Sequence, residues 1–193
     1  MDLQQTIASD RLCPVSLNDL EEVPGKTRTD NVKPRLRSAK LNTQEFVPYL
    51  SVTDAGAAVK FYTEIFEAPP SLLLNMPDGR VMHCEFRVGN ARIFLSEELP
   101  EHGGTPSPKS LGSTCVAIHH YVADCDLMVK KMRALGSEVL MEPVDLFWGE
   151  RFARVRDPFG HEWGIATKLK EMTSSEIQAA AEEMFKEMGS QDE

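Results

Sequence analysis

Three side chains in the middle of this sequence could transfer protons or bind a metal ion. His83 and Glu85 lie two residues apart in a segment that alternates apolar and polar residues, and His119 lies in a later apolar segment. Alternation puts His83 and Glu85 on one face of a β-strand, opposite the apolar residues. A histidine beside a carboxylate can act as a general acid or base near neutral pH. We predict His83, Glu85 and His119 as catalytic residues; the alternative is a buried polar network or simple exposure.

A later segment combines aromatic and basic residues that could hold a ligand. Phe147 and Trp148 lie on a loop before a glycine, and Arg151, Arg154 and Arg156 follow in alternation. Aromatic faces cover planar or apolar molecules, and guanidinium groups match carboxylate or phosphate geometry. We predict that Phe147, Trp148 and Arg154 bind a ligand. The alternatives are a core or dimer contact for the aromatic pair and ion pairs with neighbouring glutamates for the arginines.

These residues belong to a pattern of elements that occurs twice. A short apolar strand is followed by a helix that Asp54 can cap, by the alternating segment 80–88 and by a turn into a further strand. The second copy has the same order, with Asp124 before its helix. Identical residues recur at a constant offset of seventy, namely Val52 and Val122, Asp54 and Asp124, Val59 and Val129, Lys60 and Lys130, and Gly79 and Gly149. A single register without a slip predicts an internal duplication.

The predicted fold class is therefore α+β, with two tandem βαβββ modules at residues 44–98 and 113–168. A linker at 99–112 is rich in Pro and Gly and is predicted to contain no element. Residues 1–43 have charges, prolines and no periodicity, so we predict a disordered or loosely docked arm. Residues 169–193 are predicted to form an amphipathic helix and tail, with a capping box at Thr173 and Glu176.

Composition excludes several classes of partner and location. The formal net charge of −9 would repel nucleic acid and anionic lipids. The four cysteines show no CxxC spacing, and no segment reads as a membrane span or secretion signal. We therefore expect a cytoplasmic protein that binds neither nucleic acid nor membranes.

Three segments of the chain match motifs of a known family. They are VPYLSV at 47–52 leading to Phe61-Tyr62, the step GER at 149–151, and DPFGHEW at 157–163. Together with the duplicated βαβββ pattern they resemble the vicinal oxygen chelate superfamily, which includes glyoxalases, bleomycin-resistance proteins and extradiol dioxygenases, over about residues 45 to 168. The PhnB-like branch is the most similar.

The resemblance implies that each module curls its mixed sheet into a half-barrel and that two half-barrels enclose a crevice. In the family the crevice often holds a divalent metal through one residue from each of four strands. The corresponding positions here are Val47, Phe94, Ala117 and Gly164, and none of these side chains can donate to a metal. We therefore predict no cofactor, unless a divalent metal has moved to other residues such as His83, Glu85 and His119.

The resemblance also implies which neighbouring side chains face the crevice. If Phe94 and Ala117 face it, alternation puts His119 and Tyr121 on the same side and His120 among the core residues, with its hydrogen bonds satisfied. We add Phe94 and Tyr121 to the predicted ligand-binding residues.

The last strand contributes one further candidate. Glu162 lies two residues before Gly164 and so on the same face of the strand. It is therefore predicted to reach the crevice as a ligand or base, with a surface ion pair as the alternative. His161 lies in the turn before it and is predicted to be solvated.

Three functions remain open from the sequence, the third being a protein that only binds a partner through its basic arm and terminal amphipathic helix, with a vestigial crevice. The first is a homodimeric protein that binds a small organic molecule in the crevice without a metal, in the manner of bleomycin-resistance proteins. The second is a lyase or isomerase of the glyoxalase type that uses a relocated metal or a His/Glu acid-base group. Loss of all four family ligands favours binding.

Overall fold

The computed structural model describes residues 45–189. The arm predicted at residues 1–43 and Cys13 lie outside the described residues. Among the cysteines within them, Cys84 and Cys125 are buried free thiols, whereas Cys115 is exposed. Burial raises the pKa of the Cys84 thiol to about 11, so at neutral pH it is a small apolar group of the core.

The first module is a four-stranded sheet with one long helix. Its elements are β1 (Tyr49–Val52), α1 (Ala55–Phe66), β2 (Leu72–Asn75), β3 (Val81–Val88) and β4 (Ala91–Glu97), in the sheet order β1-β4-β3-β2. β1 is parallel to β4, and the other pairs are antiparallel. Helix α1 begins where the Asp54 carboxylate accepts a hydrogen bond from the Ala57 amide, as predicted for a cap.

The second module repeats this arrangement. Its elements are β5 (Ala117–Tyr121), α3 (Cys125–Ala134), β6 (Glu138–Leu146), β7 (Glu150–Arg156) and β8 (Glu162–Lys168), in the order β5-β8-β7-β6. Asp124 caps α3 through the Leu127 amide, which is the counterpart of the Asp54 cap. The α+β class with two βαβββ modules is thereby confirmed.

The segment between the modules is more ordered than the sequence predicted. It contains a 3-10 turn at Pro100–His102 and a short helix α2 at Pro108–Leu111. Pro108 suits the first turn of a helix, and the Ser107 hydroxyl accepts a hydrogen bond from the Ser110 amide. The Glu98 carboxylate accepts hydrogen bonds from both serines, so side chains compensate for the helix-breaking composition.

The modules meet through their helix sides and share one core. Tyr62 of α1 packs against Trp163 of β8 and Phe159 of the β7–β8 turn. The buried Asp157 carboxylate accepts hydrogen bonds from the Tyr62 hydroxyl, the Trp163 indole and the amides of Phe159 and His161. The DPFG turn therefore joins the two modules.

The pairing of β2 with β3 interrupts the simple alternation of apolar and polar residues along β3. β2 and β3 pair as Leu74 with His83 but Asn75 with Val81, so Met82 forms a bulge. As a result Val81 is buried and Met82 is 48% exposed, whereas strict alternation along the segment 80–88 would place Met82 on the apolar face with Cys84 and Phe86. An extra residue in one strand turns the side chains beyond it to the opposite face of the sheet.

The C-terminal helix α4 spans Ser174–Gly189. The Glu176 carboxylate accepts from the Thr173 amide, and the Thr173 hydroxyl accepts from the Glu176 amide, so the predicted capping box is present. Within residues 45–189, none of the helices has the length and apolar character needed to span a bilayer.

Candidate functional site

A groove of about 770 Å³ runs between the two modules along β1 and β5. Both are edge strands, because β1 pairs with β4 alone and β5 with β8 alone among the described strands. Tyr49 and His119 lie on its two walls, and Pro106, Pro108 and Leu111 of the linker also line it. The groove is mainly apolar, with aromatic rings on both sides.

The positions that hold the metal in the family do not fit a metal here. Val47 and Ala117 line the groove, and Phe94 is packed against Tyr49 and His83. A Cβ atom on Gly164 would lie 2.8 Å from Phe152 Cε2 and 3.3 Å from His119 Nδ1. Two rings therefore fill the space where a ligand side chain would project, and none of the four positions offers a donor atom.

The rings in front of Gly164 form an aromatic wall. The rings of His119 and Phe152 stack with centroids 5.7 Å apart and planes at 19°. The His119 ring also lies 4.7 Å from the ring of Tyr121, and Trp148 lies 6.3 Å from Phe152. His119 and Tyr121 are on the same face of β5, as predicted.

The structure separates the three predicted catalytic residues. His83 Nε2 and Glu85 Oε1 are 3.2 Å apart on the first sheet, but His119 belongs to the second sheet. Tyr49 and His83 are joined by a hydrogen bond of 2.9 Å between the hydroxyl and Nδ1. Leu72 and Leu74 pair with Glu85 and His83 across β2 and form an apolar margin. No group of three His, Cys, Asp or Glu side chains suited to a metal occurs in the described part of the chain.

The three arginines of the predicted basic set all form ion pairs. Arg154 and Arg156 both donate to the Glu162 carboxylate, at 2.7 and 2.8 Å. These hydrogen bonds, from Arg156 first and Arg154 second, lower the pKa of Glu162. Arg151 pairs instead with Asp126 and Asp145 on the outer surface. The arginines of this set are therefore neutralised by neighbouring carboxylates, as in the ion-pair alternative.

The predicted loop pair divides between two surfaces. Phe147 lines a depression beside α4 together with Leu146 and Met184. Trp148 turns to the concave face of the second sheet, where its indole donates to Glu150 Oε2 at 2.9 Å. The loop is pinned at Gly149, whose carbonyl accepts hydrogen bonds from the amides of residues 169 and 170.

Glu150 is a buried carboxylate on this concave face. It is 9% exposed and accepts a second hydrogen bond, of 2.8 Å, from the Tyr121 hydroxyl. That hydrogen bond raises the pKa of Tyr121. The hydrogen-bond partners of Glu150 are therefore Trp148 and Tyr121, and not the arginines that follow it along β7.

Two histidines outside this face differ from their predicted surroundings. His120 lies beside Phe66 and Trp163, as expected, but its Nδ1 atom has no hydrogen-bond partner among residues 45–189. His161 is half-buried and not fully solvated: its Nε2 atom lies 3.1 Å from the Ser51 carbonyl at the junction of the modules. Burial lowers the pKa of both imidazoles.

Three residues that shape the site were not predicted as functional. Tyr49 could have been found from the internal duplication, because the offset of seventy pairs it with His119. Alternation along β7 could have revealed Phe152 and Glu150, because it places them on the same face as Arg154. Their contacts with His119, Trp148 and Tyr121 depend on strand register, which had no local signal.

A family model described as Glyoxalase/Bleomycin resistance protein/Dioxygenase superfamily matches residues 44–165. The chain is 35% identical over 158 residues to protein Rv0887c of Mycobacterium tuberculosis, covering 81% of this chain and 87% of that protein. It is 36% identical over 135 residues to protein Mb0911c of Mycobacterium bovis, covering 69% and 89%. The chain therefore belongs to the glyoxalase/bleomycin-resistance/dioxygenase superfamily.

Solved structures agree with this assignment. TioX from Micromonospora sp. ML1 is similar, with a TM-score of 0.51 and 26% identity over 66% of this chain and 100% of that one. Protein PA1353 of Pseudomonas aeruginosa has a TM-score of 0.54 at 20% identity, covering 65% and 98%. A PhnB protein from Bacillus cereus has a TM-score of 0.51 at 18% identity, covering 64% and 99%. The last two show the fold alone.

Proposed function

We propose that this protein binds a small planar organic molecule in the groove between its modules, and that it does so without the metal of its family. The observation that carries the proposal is the stack of His119 on Phe152 in front of Gly164. The stack occupies the position of a family metal ligand and presents an aromatic surface instead. Aromatic rings pair with planar groups in offset or edge arrangements.

The groove has the size and lining of a small-molecule site. Its volume of about 770 Å³ lies within the range of roughly 300–1,000 Å³ for ligand pockets. Tyr49 is 53% exposed on one wall, so its ring is available to a ligand, and His119 is exposed on the other. A planar molecule between these rings would remove apolar surface from water on both of its faces.

We further propose that two copies assemble into a homodimer in the cytoplasm. β1 and β5 are edge strands among the described strands, and edge strands pair readily with another chain. Phe46 and Val116 beside them are 97% and 63% exposed. Light scattering of the full chain should give twice the mass of 21.6 kDa; a monomer at micromolar concentration would count against the dimer.

Ligand binding is tested with the full chain and a panel of planar aromatic compounds. Binding raises the melting temperature, because the ligand stabilises the folded state by mass action. His119→Ala and Phe152→Ala should each abolish the shift for compounds that stabilise the wild type, whereas Arg151→Ala, on the outer surface, should not. If no compound raises the melting temperature, or if both ring variants respond like the wild type, the proposal is wrong.

The metal-free part of the proposal has its own measurement. Zinc, nickel, cobalt and manganese should leave both the melting temperature and the ligand response unchanged, since the four family positions lack donor atoms. A stoichiometric metal that increases ligand affinity would contradict it.

A second candidate function rests on the Tyr49, His83 and Glu85 chain of hydrogen bonds. If the Tyr49 hydroxyl donates to His83 Nδ1, the Nε2 proton is directed to Glu85, an arrangement that suits proton transfer in an isomerase or lyase. Activity toward the adduct of methylglyoxal and glutathione should then fall in His83→Gln and persist in His102→Gln. No activity in the wild type, or equal activity in His83→Gln, would remove this candidate.

A further inference from the structure

We infer that the concave face of the second module binds the ammonium group of an organic cation between Glu150, Tyr121 and Trp148. The inference rests on the proposed function and specifies the ligand: its planar body lies in the groove at His119, and its positive charge lies at Glu150. The cation would be a primary amine or a quaternary ammonium group attached to a planar ring.

Glu150 has a charge that the protein does not neutralise by a direct ion pair. Its side chain is on the concave face of β7, 9% exposed, and its hydrogen bonds come from two neutral donors, the Tyr121 hydroxyl and the Trp148 indole. Within residues 45–189, no Lys, Arg or His nitrogen forms an ion pair with it. Buried carboxylates are normally paired, because transfer of a charge out of water is costly.

The other carboxylate on this face provides the contrast. Glu162 accepts from Arg154 and Arg156 at 2.7 and 2.8 Å, so its charge is balanced by two cations. Both residues lie on the same sheet. Lys168 is the cross-strand neighbour of Glu150, but within residues 45–189 its ion pair is with Glu171 and not with Glu150. A cation that enters this face is therefore drawn to Glu150 and not to Glu162.

The rings around Glu150 favour the same ligand. A cation over the face of Tyr or Trp within about 6 Å is attracted by the ring electrons. Lys168 already illustrates this at Tyr121, where its Nζ lies 5.8 Å from the ring centroid. The Lys168 side chain is 56% exposed and has its ion pair with Glu171, at 3.6 Å, so a ligand can displace it.

Space for the cation adjoins the groove. A depression of about 440 Å³ is lined by Tyr121, Val122, Ala123, Thr167 and Lys168, so it borders the proposed site at Tyr121 and Lys168. His119 lines the groove and contacts the Tyr121 ring at 4.7 Å between centroids. One ligand can therefore place its planar part at His119 and its charged part beside Tyr121. The net charge of −9 also favours the approach of cations.

The test compares three probes that share one ring system. They are 2-naphthylmethyl-trimethylammonium, the neutral 2-naphthalenemethanol and the anion 2-naphthoate, each titrated into the full chain by calorimetry. The cation should bind about tenfold more tightly than the alcohol, and the anion more weakly than both. Glu150→Gln should abolish the preference for the cation and leave the affinity for the alcohol unchanged. The matched variant Glu162→Gln should keep the preference.

A second variant keeps the test independent of how Glu150→Gln folds. Lys168→Met removes the ammonium that competes for Tyr121, so it should bind the cation severalfold more tightly than the wild type. Equal affinity for cation and alcohol in the wild type, or a preference that persists in Glu150→Gln, would overturn the inference and leave the proposed function standing. Failure of all three probes and of the wider aromatic panel would instead overturn both.

Discussion

The hydroxyl of Tyr62 in the first module donates a hydrogen bond of 2.6 Å to the carboxylate of Asp157 in the second. Both side chains are buried, and burial raises the pKa of the Tyr62 hydroxyl well above its usual value. Asp157 also accepts from Trp163 and from two backbone amides, so one turn organises the junction of the modules. The relative placement of β1 and β5, and so the groove itself, depends on this junction.

Replacement of Tyr62 should weaken the whole domain. In Tyr62→Phe the ring contacts remain but the buried Asp157 carboxylate loses one of its hydrogen bonds, and a hydrogen bond to a charged group contributes about 1.5–3 kcal/mol. Urea denaturation should show this loss in the free energy of unfolding. Tyr49→Phe, which removes a partly exposed hydroxyl, should cost less than about 0.5 kcal/mol. Equal effects of the two variants would contradict the role of the junction.

Gly164 should be required because of Phe152. A methyl group at Gly164 would lie 2.8 Å from the Phe152 ring, so Gly164→Ala should lower the free energy of unfolding by about 1–3 kcal/mol through overpacking. In a Phe152→Ala background the same substitution should cost little, because the obstructing ring is gone. A double-mutant cycle measures the coupling, and additive effects would show that the two residues do not compete for space.

Stability should decrease at mildly acid pH because of His120 and His161. Burial lowers the pKa of each imidazole below the value of 6.5 for a free side chain. The unfolded chain therefore takes up protons first, so this stability is present above about pH 6.5 and is lost as the pH falls through the lower, folded pKa values. Denaturant midpoints at pH 7.5, 6.5 and 5.5 measure the slope.

His120→Leu isolates one part of that pH dependence. Since Nδ1 of His120 has no hydrogen-bond partner in the described part of the chain, an apolar side chain should raise the stability by about 1 kcal/mol at neutral pH and flatten the pH slope. A slope as steep as that of the wild type would assign the pH effect to His161 or to other groups.

Gly149 should be required for the contact between the Trp148 loop and the C-terminal segment. It has φ 85°, and a Cβ atom there would lie 2.9 Å from the Lys170 carbonyl oxygen. Gly89 has φ 59° with no atom within 4 Å of such a Cβ. Gly89→Ala should therefore cost about 1 kcal/mol for backbone strain alone, and Gly149→Ala clearly more. Tryptophan emission should shift in Gly149→Ala only, as Trp148 moves.

The sequence by itself determined the repeated elements and the faces of individual strands. The offset of seventy residues predicted two βαβββ modules, and the Asp54 and Asp124 caps are at equivalent helix starts. Alternation placed His119 and Tyr121 on one face of β5 and His120 on the other. These features depend on neighbours within a few residues, and local backbone geometry translates them directly into structure.

Only the tertiary structure decided which side chains meet. The Met82 bulge, the stack of Phe152 on His119 and the burial of Glu150 between Trp148 and Tyr121 all depend on the register of strands distant in sequence. The separation of His83 from His119 depends on how the two sheets pack through Tyr62 and Asp157. Register and packing are set by the sum of many long-range contacts, so no local pattern of residues encodes them.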